Sequence, residues 1–168
     1  VEQGWQDLDF LREHSVAACL VKEADGKFLR QADLDGSQPS ADDAKNAATS
    51  LVMGKDGTPG IVGEVADPEL EGSYEVEGIK VSTAYQLLLD RIAEYPVSKA
   101  AEITGVSEDL IKDVAEQYAR NTPSSIYTFF GIDHYWNGHW SQGCLATLAV
   151  ITGNVGKAGA FCGFQECL

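Results

Sequence analysis

The breakers between Pro96 and Gly153 constrain the fold of this 168-residue chain more than any other feature. Pro96 suits the first turn of a helix, where a missing N–H costs nothing, and Gly105 is placed to end that helix in a left-handed cap. Ser107 then caps a second helix, whose apolar positions Leu110, Ile111, Val114 and Tyr118 run until Asn121-Thr122-Pro123. The β-branched and aromatic run Ser125-Ile126-Tyr127-Thr128-Phe129-Phe130 predicts a buried strand ending at Gly131. A loop from Ile132 to Trp140 leads into another helix, apolar on several faces through Leu145, Leu148, Val150 and Ile151. Ahead of Pro96, Tyr85, Leu88, Leu89, Ile92 and Tyr95 lie at helical spacing on one face. This succession belongs to the α/β class, in which ligands sit off the carboxyl ends of strands, where such loops gather.

The first half is organised differently. Asp7 to His14 reads as a short helix, and Val16 to Val21 as an apolar run of buried-strand length. Asp25-Gly26 marks a tight turn and, with Lys27 to Arg30, predicts a hairpin. Asp33-Leu34-Asp35-Gly36 lacks the ligand register of a calcium loop and reads as a turn. Residues 35–80 are rich in Asp, Gly, Ser and Pro, with room for small strands at Ser50-Leu51-Val52-Met53 and Ile61-Val62-Gly63. Three segments result: a helix and hairpin over 1–34, an acidic loop-rich region over 35–80, and an α/β segment over 81–168.

Charge excludes several functions. The formal charge is −14, with 17 acids against 7 bases in residues 1–80 and only 2 against 1 in residues 121–168. Nucleic acid and anionic membrane surfaces both require a basic footprint. Residues 97–119 have the outline of a helix-turn-helix, and Ala100 to Ser107 would fit its turn. Its second helix, however, presents Glu108, Asp109, Asp113 and Glu116 against a lone Lys112, the wrong chemistry for base edges. The longest apolar run, Cys144 to Thr152, is too short to span a bilayer, so no direct membrane insertion is expected. The ends, Val1-Glu2-Gln3 and Cys167-Leu168, read as those of a piece of something longer. Cys19, Cys144, Cys162 and Cys167 form no C-x-x-C pair and are expected to be reduced core residues; spacing leaves a Cys162–Cys167 disulfide open.

Chemistry concentrates in residues 131–140, which hold two of the three His and two of the three Trp, with Asp133, Tyr135 and Asn137. His134 and His139 lack the one-face spacing of paired metal ligands. Either an aromatic lid over a core or a stacking surface for a flat heterocycle accounts for the composition. Thr152-Gly153-Asn154-Val155-Gly156-Lys157-Ala158-Gly159 superficially resembles a phosphate cradle. It has Ile151 where the Walker motif needs Gly and Ala158 where it needs a hydroxyl, and it follows a helix instead of preceding one. No Ser-His-Asp arrangement can be assembled.

The ordered series Tyr95-Pro96, Ala100-Ala101-Glu102-Ile103-Thr104-Gly105-Val106, Tyr118-Ala119, Gly131-Ile132-Asp133-His134, Asn137-Gly138 and Thr152 to Gly159 resembles the molybdopterin oxidoreductases of the dimethyl sulfoxide reductase family. Asp9 to His14, Leu20-Val21 and Gly26 to Arg30 resemble an upstream region of some members. The resemblance implies a fragment of the Rossmann-like α/β domains of a large catalytic subunit, with residues 81–168 proximal to the cofactor. That cofactor is a molybdenum or tungsten ion held by two pterin guanine dinucleotides. It supports two-electron redox or oxygen-atom transfer, as in anaerobic respiration. By carry-over, Phe130, Gly131 and His134 lie near a pterin or the metal, and Gly138, Asn154 and Gly156 join them as cofactor-binding candidates. His134 stands where Gln is frequent, and Ala158 where Pro is usual.

The same resemblance implies a 4Fe-4S cluster in the parent outside this chain, and no metal ligand or catalytic residue within it. Implied partners are an iron-sulfur electron-transfer subunit and the remainder of the catalytic subunit. The location is open between periplasm or cell envelope and cytoplasm. The isolated chain is expected to be inactive. The competing reading from the residues alone is a non-catalytic ligand-binding or protein-interaction α/β module, with an acidic helix-turn-helix regulator a distant third.

Overall fold

Leu20, Leu29, Leu51, Met53, Val76 and Val81 pack into one apolar cluster, flanked by Leu34, Ile61, Tyr74 and Ile79, and the first group of strands is built around it. The computed structural model describes residues 1–37 and 49–164. The chain divides into two compact units, residues 12–95 and residues 1–11 with 96–168. The first helix, α1 (Leu8–His14), is where the sequence predicts it.

In residues 12–95, β1 (Leu20–Lys22) is followed by helix α2 (Gln31–Asp35) and the antiparallel pair β2 (Leu51–Met53) and β3 (Pro59–Ile61). β4 (Ser73–Val76) and β5 (Ile79–Thr83) form a hairpin, and β5 also pairs antiparallel with β1, giving the order β1-β5-β4. Helix α3 (Ala84–Ala93) follows directly, covering the predicted helical face. Thr83 is fully buried and makes the junction: its hydroxyl donates to the Leu70 carbonyl at 2.5 Å and accepts the Gln86 N–H at 3.0 Å, capping α3.

The Asp25-Gly26 turn forms as expected, with Val21 bridging Phe28 and the Leu29 N–H donating to the Leu20 carbonyl at 2.8 Å. The returning segment then serves two neighbours, because Leu51 donates to the Leu29 carbonyl at 2.9 Å. Two expectations change. Asp33-Leu34-Asp35 closes helix α2 instead of forming a turn, since the Asp33 carboxylate accepts the Arg30 N–H at 2.8 Å and Gly36 ends the helix in a left-handed cap. The β4–β5 hairpin falls partly in a segment whose composition predicts loop. Its signal is the alternation Tyr74, Val76, Ile79, Val81 around Glu77-Gly78, both at positive φ as a two-residue hairpin turn requires.

In the second unit, α4 (Val97–Thr104) follows Pro96, which stands one residue ahead of its expected place, and Gly105 caps it at φ 72°. Ser107 caps α5 (Glu108–Arg120), accepting the Leu110 N–H at 3.4 Å. Then come β6 (Ser125–Thr128), the short α6 (Phe130–Asp133), α7 (Gly138–Ile151) and β7 (Phe161–Phe164), which lies parallel to β6 with Ser125 opposite Phe161. The expected buried strand is corrected. Ser125 and Tyr127, which share one face of β6, are exposed, whereas Ile126 and Thr128 on the other face are half-buried and buried; the backbone turns helical at Phe130. The fold is mixed α/β, as the breaker pattern implies.

The cysteines also depart from expectation. Cys19 is buried, and burial pushes its thiol pKa up, but Cys144 is exposed on α7 and Cys162 is half-buried; all three are free. Cys144 misses the core because only Gly138 and Ala149 of α7 are buried. The Cys162–Cys167 alternative lies outside the described residues, as do residues 38–48 of the acidic region.

Asn154, 1% exposed, ties the second unit together. Its carbonyl accepts the Ser124 N–H at 2.9 Å, its amide donates to the Thr152 hydroxyl at 2.9 Å, and its own N–H donates to the Ala149 carbonyl at 2.8 Å. Asn154→Ala leaves the Ser124 N–H without its acceptor and is expected to cost about 2 kcal/mol, read as a lower urea midpoint at unchanged slope. A second expectation concerns acid. Burial pushes the Asp33 carboxyl up, but the Lys22 ammonium at 2.9 Å and the Arg30 N–H outweigh it and hold Asp33 below its ordinary value. A lowered folded pKa stabilises above the unfolded value of about 3.9 and is lost as pH falls through the folded one. Asp33→Asn is therefore expected to lower the urea midpoint at pH 7 and to flatten its decline below about pH 4.

Candidate functional site

Thr128, the buried last residue of β6, is locked to α7 by the Gln142 amide, which donates to its hydroxyl at 3.0 Å. This contact fixes the strand end against the helix and leaves residues 129–140 to wrap across the carboxyl end of β6. The Phe129 carbonyl accepts the Ile132 N–H at 3.2 Å, starting the single turn of α6. The Tyr135 carbonyl accepts the Gly138 N–H at 2.9 Å and that of Asn137 the Trp140 N–H at 3.0 Å, so the chain enters α7 through tight turns. Most of the expected loop is therefore helical, and residues 134–137 connect the two helices.

The aromatic side chains here point outward. Trp136 is 91% exposed, Tyr135 71% and Trp140 70%; Phe129 is also exposed. The His139 and Trp140 rings lie 5.0 Å apart at a tilted angle. Such exposure removes the reading of an aromatic lid over a core within this chain. What the arrangement offers is stacking surface and two exposed imidazoles in the same stretch of chain, His134 and His139. Gly131 is exposed, and nothing stands within 4 Å of where a Cβ would be, so a planar group can approach the backbone closely. Among the described residues no three His, Cys, Asp or Glu side chains group as a metal site.

The six cofactor candidates fall into two groups. Phe130 and Gly131 open α6, His134 follows it, and Gly138 is the buried first residue of α7, all near the carboxyl end of β6. Asn154 and Gly156 lie beyond the far end of α7, whose 14 residues span about 20 Å. There the Asn154 side chain is engaged with Ser124 and Thr152, and Gly156 is exposed at φ 69°. Gly153, at φ 62°, could not carry a side chain, since a Cβ would come within 2.5 Å of the Asp7 carboxylate. Burial pushes the nearby Tyr118 phenol pKa up, with Thr152 and Asn154 drawing it back. The Thr128–Gln142 lock had no signal in the sequence, because two polar residues 14 apart fit no local motif.

No family model matches the chain. It is 33% identical over 159 residues to the alpha chain of dimethylsulfide dehydrogenase from Rhodovulum sulfidophilum, covering 89% of this chain and 17% of that protein. A putative dimethyl sulfoxide reductase catalytic chain of Halobacterium salinarum is 28% identical, over 94% of this chain and 18% of the relative. The alpha chain of chlorate reductase from Ideonella dechloratans is 27% identical, over 90% and 17%. The chain thus spans about a sixth of the length of the curated relatives it matches. Coverage this high takes in both compact units. The chain belongs to the dimethyl sulfoxide reductase family of molybdopterin oxidoreductases, as a segment of a catalytic subunit.

Proposed function

We propose that residues 129–140 form part of the wall of a bis-pterin guanine dinucleotide site, holding molybdenum or tungsten, in a longer oxidoreductase subunit. One observation carries this reading: an outward-facing aromatic surface at the carboxyl end of β6, in the part of the chain with almost no charge. A pterin dinucleotide is a flat heterocycle joined to phosphates, and the acid-rich surface of residues 1–80 would repel it. Residues 121–168, with 2 acids and 1 base, would not.

The donor set fits such a group. The backbone at Phe130 and Gly131 admits close approach, His134 hydrogen-bonds a ring heteroatom, and Tyr135, Trp136 and Trp140 supply faces for stacking. Gly138 lets α7 start tight against the same surface. Asn154 and Gly156 serve the site from the other end of α7, by holding the loop that sets the position of β6. When bound, the cofactor supplies two-electron redox chemistry; the protein's part is to orient it and exclude water. The metal ligand, a 4Fe-4S cluster, the rest of the Rossmann-like domains and an iron-sulfur partner subunit belong to the parent outside these residues. No helix among the described residues is long and apolar enough to cross a membrane.

The test uses the full-length subunit purified anaerobically, with elemental analysis for molybdenum and tungsten and fluorescence of the oxidised pterin. Metal and bound pterin are expected. Gly131→Leu, which fills the open position, is expected to reduce pterin retention about tenfold, the effect of a steric cost near 1.4 kcal/mol. A parent with neither metal nor pterin overturns the proposal and returns the aromatic surface to the class of non-catalytic binding modules.

A further inference from the structure

Helices α4 and α5 contain no buried residue, although α5 is strongly two-sided in sequence. Its polar side is complete in itself: Lys112 pairs with Glu108 at 3.0 Å and Arg120 with Glu116 at 2.7 Å, each one helical turn apart. Its other side presents Leu110 at 52% exposure and Val114 at 59%, four residues apart and hence on one face. Ile103 of α4 and Val106 in the turn between the helices are exposed as well. Four large apolar side chains over a helix pair are more than scattered surface hydrophobes, and such a face marks a contact.

We infer that the face carried by Ile103, Val106, Leu110 and Val114 is an interior surface of the longer subunit, covered by that subunit's own chain outside these 168 residues. Two observations select this occupant. The curated relatives are about six times longer than the region matched, so most of the subunit's chain is available to cover it. In addition, β6 and β7 form a parallel sheet of only two strands among the described residues. Parallel sheets occur with both faces covered, and two strands alone are not independently stable. The same unit therefore carries an incomplete sheet and an uncovered helix face. Further strands beside β6 and β7 would extend the one and supply an apolar surface for the other, as helices cover sheets throughout α/β proteins. A contact made in this way would be permanent and independent of protein concentration. The inference rests on the chain being part of a longer subunit but not on the pterin site, and its test does not read the cofactor.

Val114→Cys is introduced into the full-length subunit, with Lys112→Cys, on the exposed polar side of the same helix, as the control. Each is treated with a maleimide in the native state and after unfolding, and the modified peptide is followed by mass spectrometry so that native cysteines do not interfere. Position 114 is expected to react about a hundredfold more slowly than position 112 in the native subunit, within the range of local opening equilibria, and equally fast after unfolding. Equal native rates would overturn the inference. Protection that appears only at high protein concentration or with a companion subunit assigns the face to a second copy or to that partner, and also overturns it. If Val114→Cys does not accumulate, hydrogen exchange across residues 108–120 of the unaltered subunit replaces it. Slow exchange supports coverage, and exchange as fast as in an open surface helix refutes it. A subunit that lacks pterin yet protects position 114 sinks the cofactor proposal while leaving this one standing.

Discussion

The side-chain amide of Asn154 joins two turns that the chain separates by thirty residues, and the arrangement of the second unit follows from it. Parallel strands cannot be joined by a tight hairpin; the connection must leave one end of the sheet and return to the other. Between β6 and β7 that connection is α6 and α7, and the chain comes back to the start of β6 just where Asn154 meets Ser124. The Ser125 hydroxyl then donates to the Gly159 carbonyl at 2.6 Å, a second tie across the same gap. With the amino end of β6 secured there and its carboxyl end held by Gln142, residues 129–140 have little choice in where they emerge. A buried amide with its polar atoms engaged is a stringent device, because any displacement leaves groups without partners.

What could be read from the sequence depended on how local the controlling physics was. Caps and breakers act within a turn, so Ser107, Gly105 and Pro96 located α4 and α5 to within a residue. Asp25-Gly26 did the same for the first turn. Propensity is a weaker guide where tertiary context decides: the aromatic run after Ser125 has the composition of a buried strand, but one of its faces is open to solvent and the backbone bends into α6 at Phe130. The β4–β5 hairpin is hard to see because its strands alternate within a segment dominated by turn residues. Of the site, the density of His, Trp and Tyr was visible in composition, whereas the 20 Å or so that α7 puts between Gly138 and Asn154 emerges only when the helix is seen whole.

The two units distribute charge and apolar surface differently. Residues 12–95 enclose a small core beneath an acidic exterior, with ion pairs both near in sequence, as Lys22 with Asp25 and Asp33, and far apart, as Arg12 with Asp67 at 3.2 Å. Residues 96–164 bury few large side chains and leave Tyr127, Phe129, Trp136, Trp140, Leu110 and Val114 to solvent. A globular domain of this size would normally enclose more. The contrast fits a segment in which one part completes its own core and the other is finished by the rest of a much longer subunit.

The junction at Thr83 has a consequence for how this sequence can vary. β5 ends at Thr83 and α3 begins at Ala84, with no connecting residue to absorb a change. Thr83 belongs at once to the ladder, opposite Leu20, and to the helix cap, through Gln86. One residue inserted between Ser82 and Ala84 would rotate α3 by about 100° relative to the sheet, or move the strand by one place and turn each side chain to the opposite face. Tyr85, 1% exposed in the first turn of α3, would leave its site either way. Length changes among homologues should therefore spare this point and collect in neighbouring turns, which makes the strand-to-helix step a fixed landmark for aligning distant members of the family.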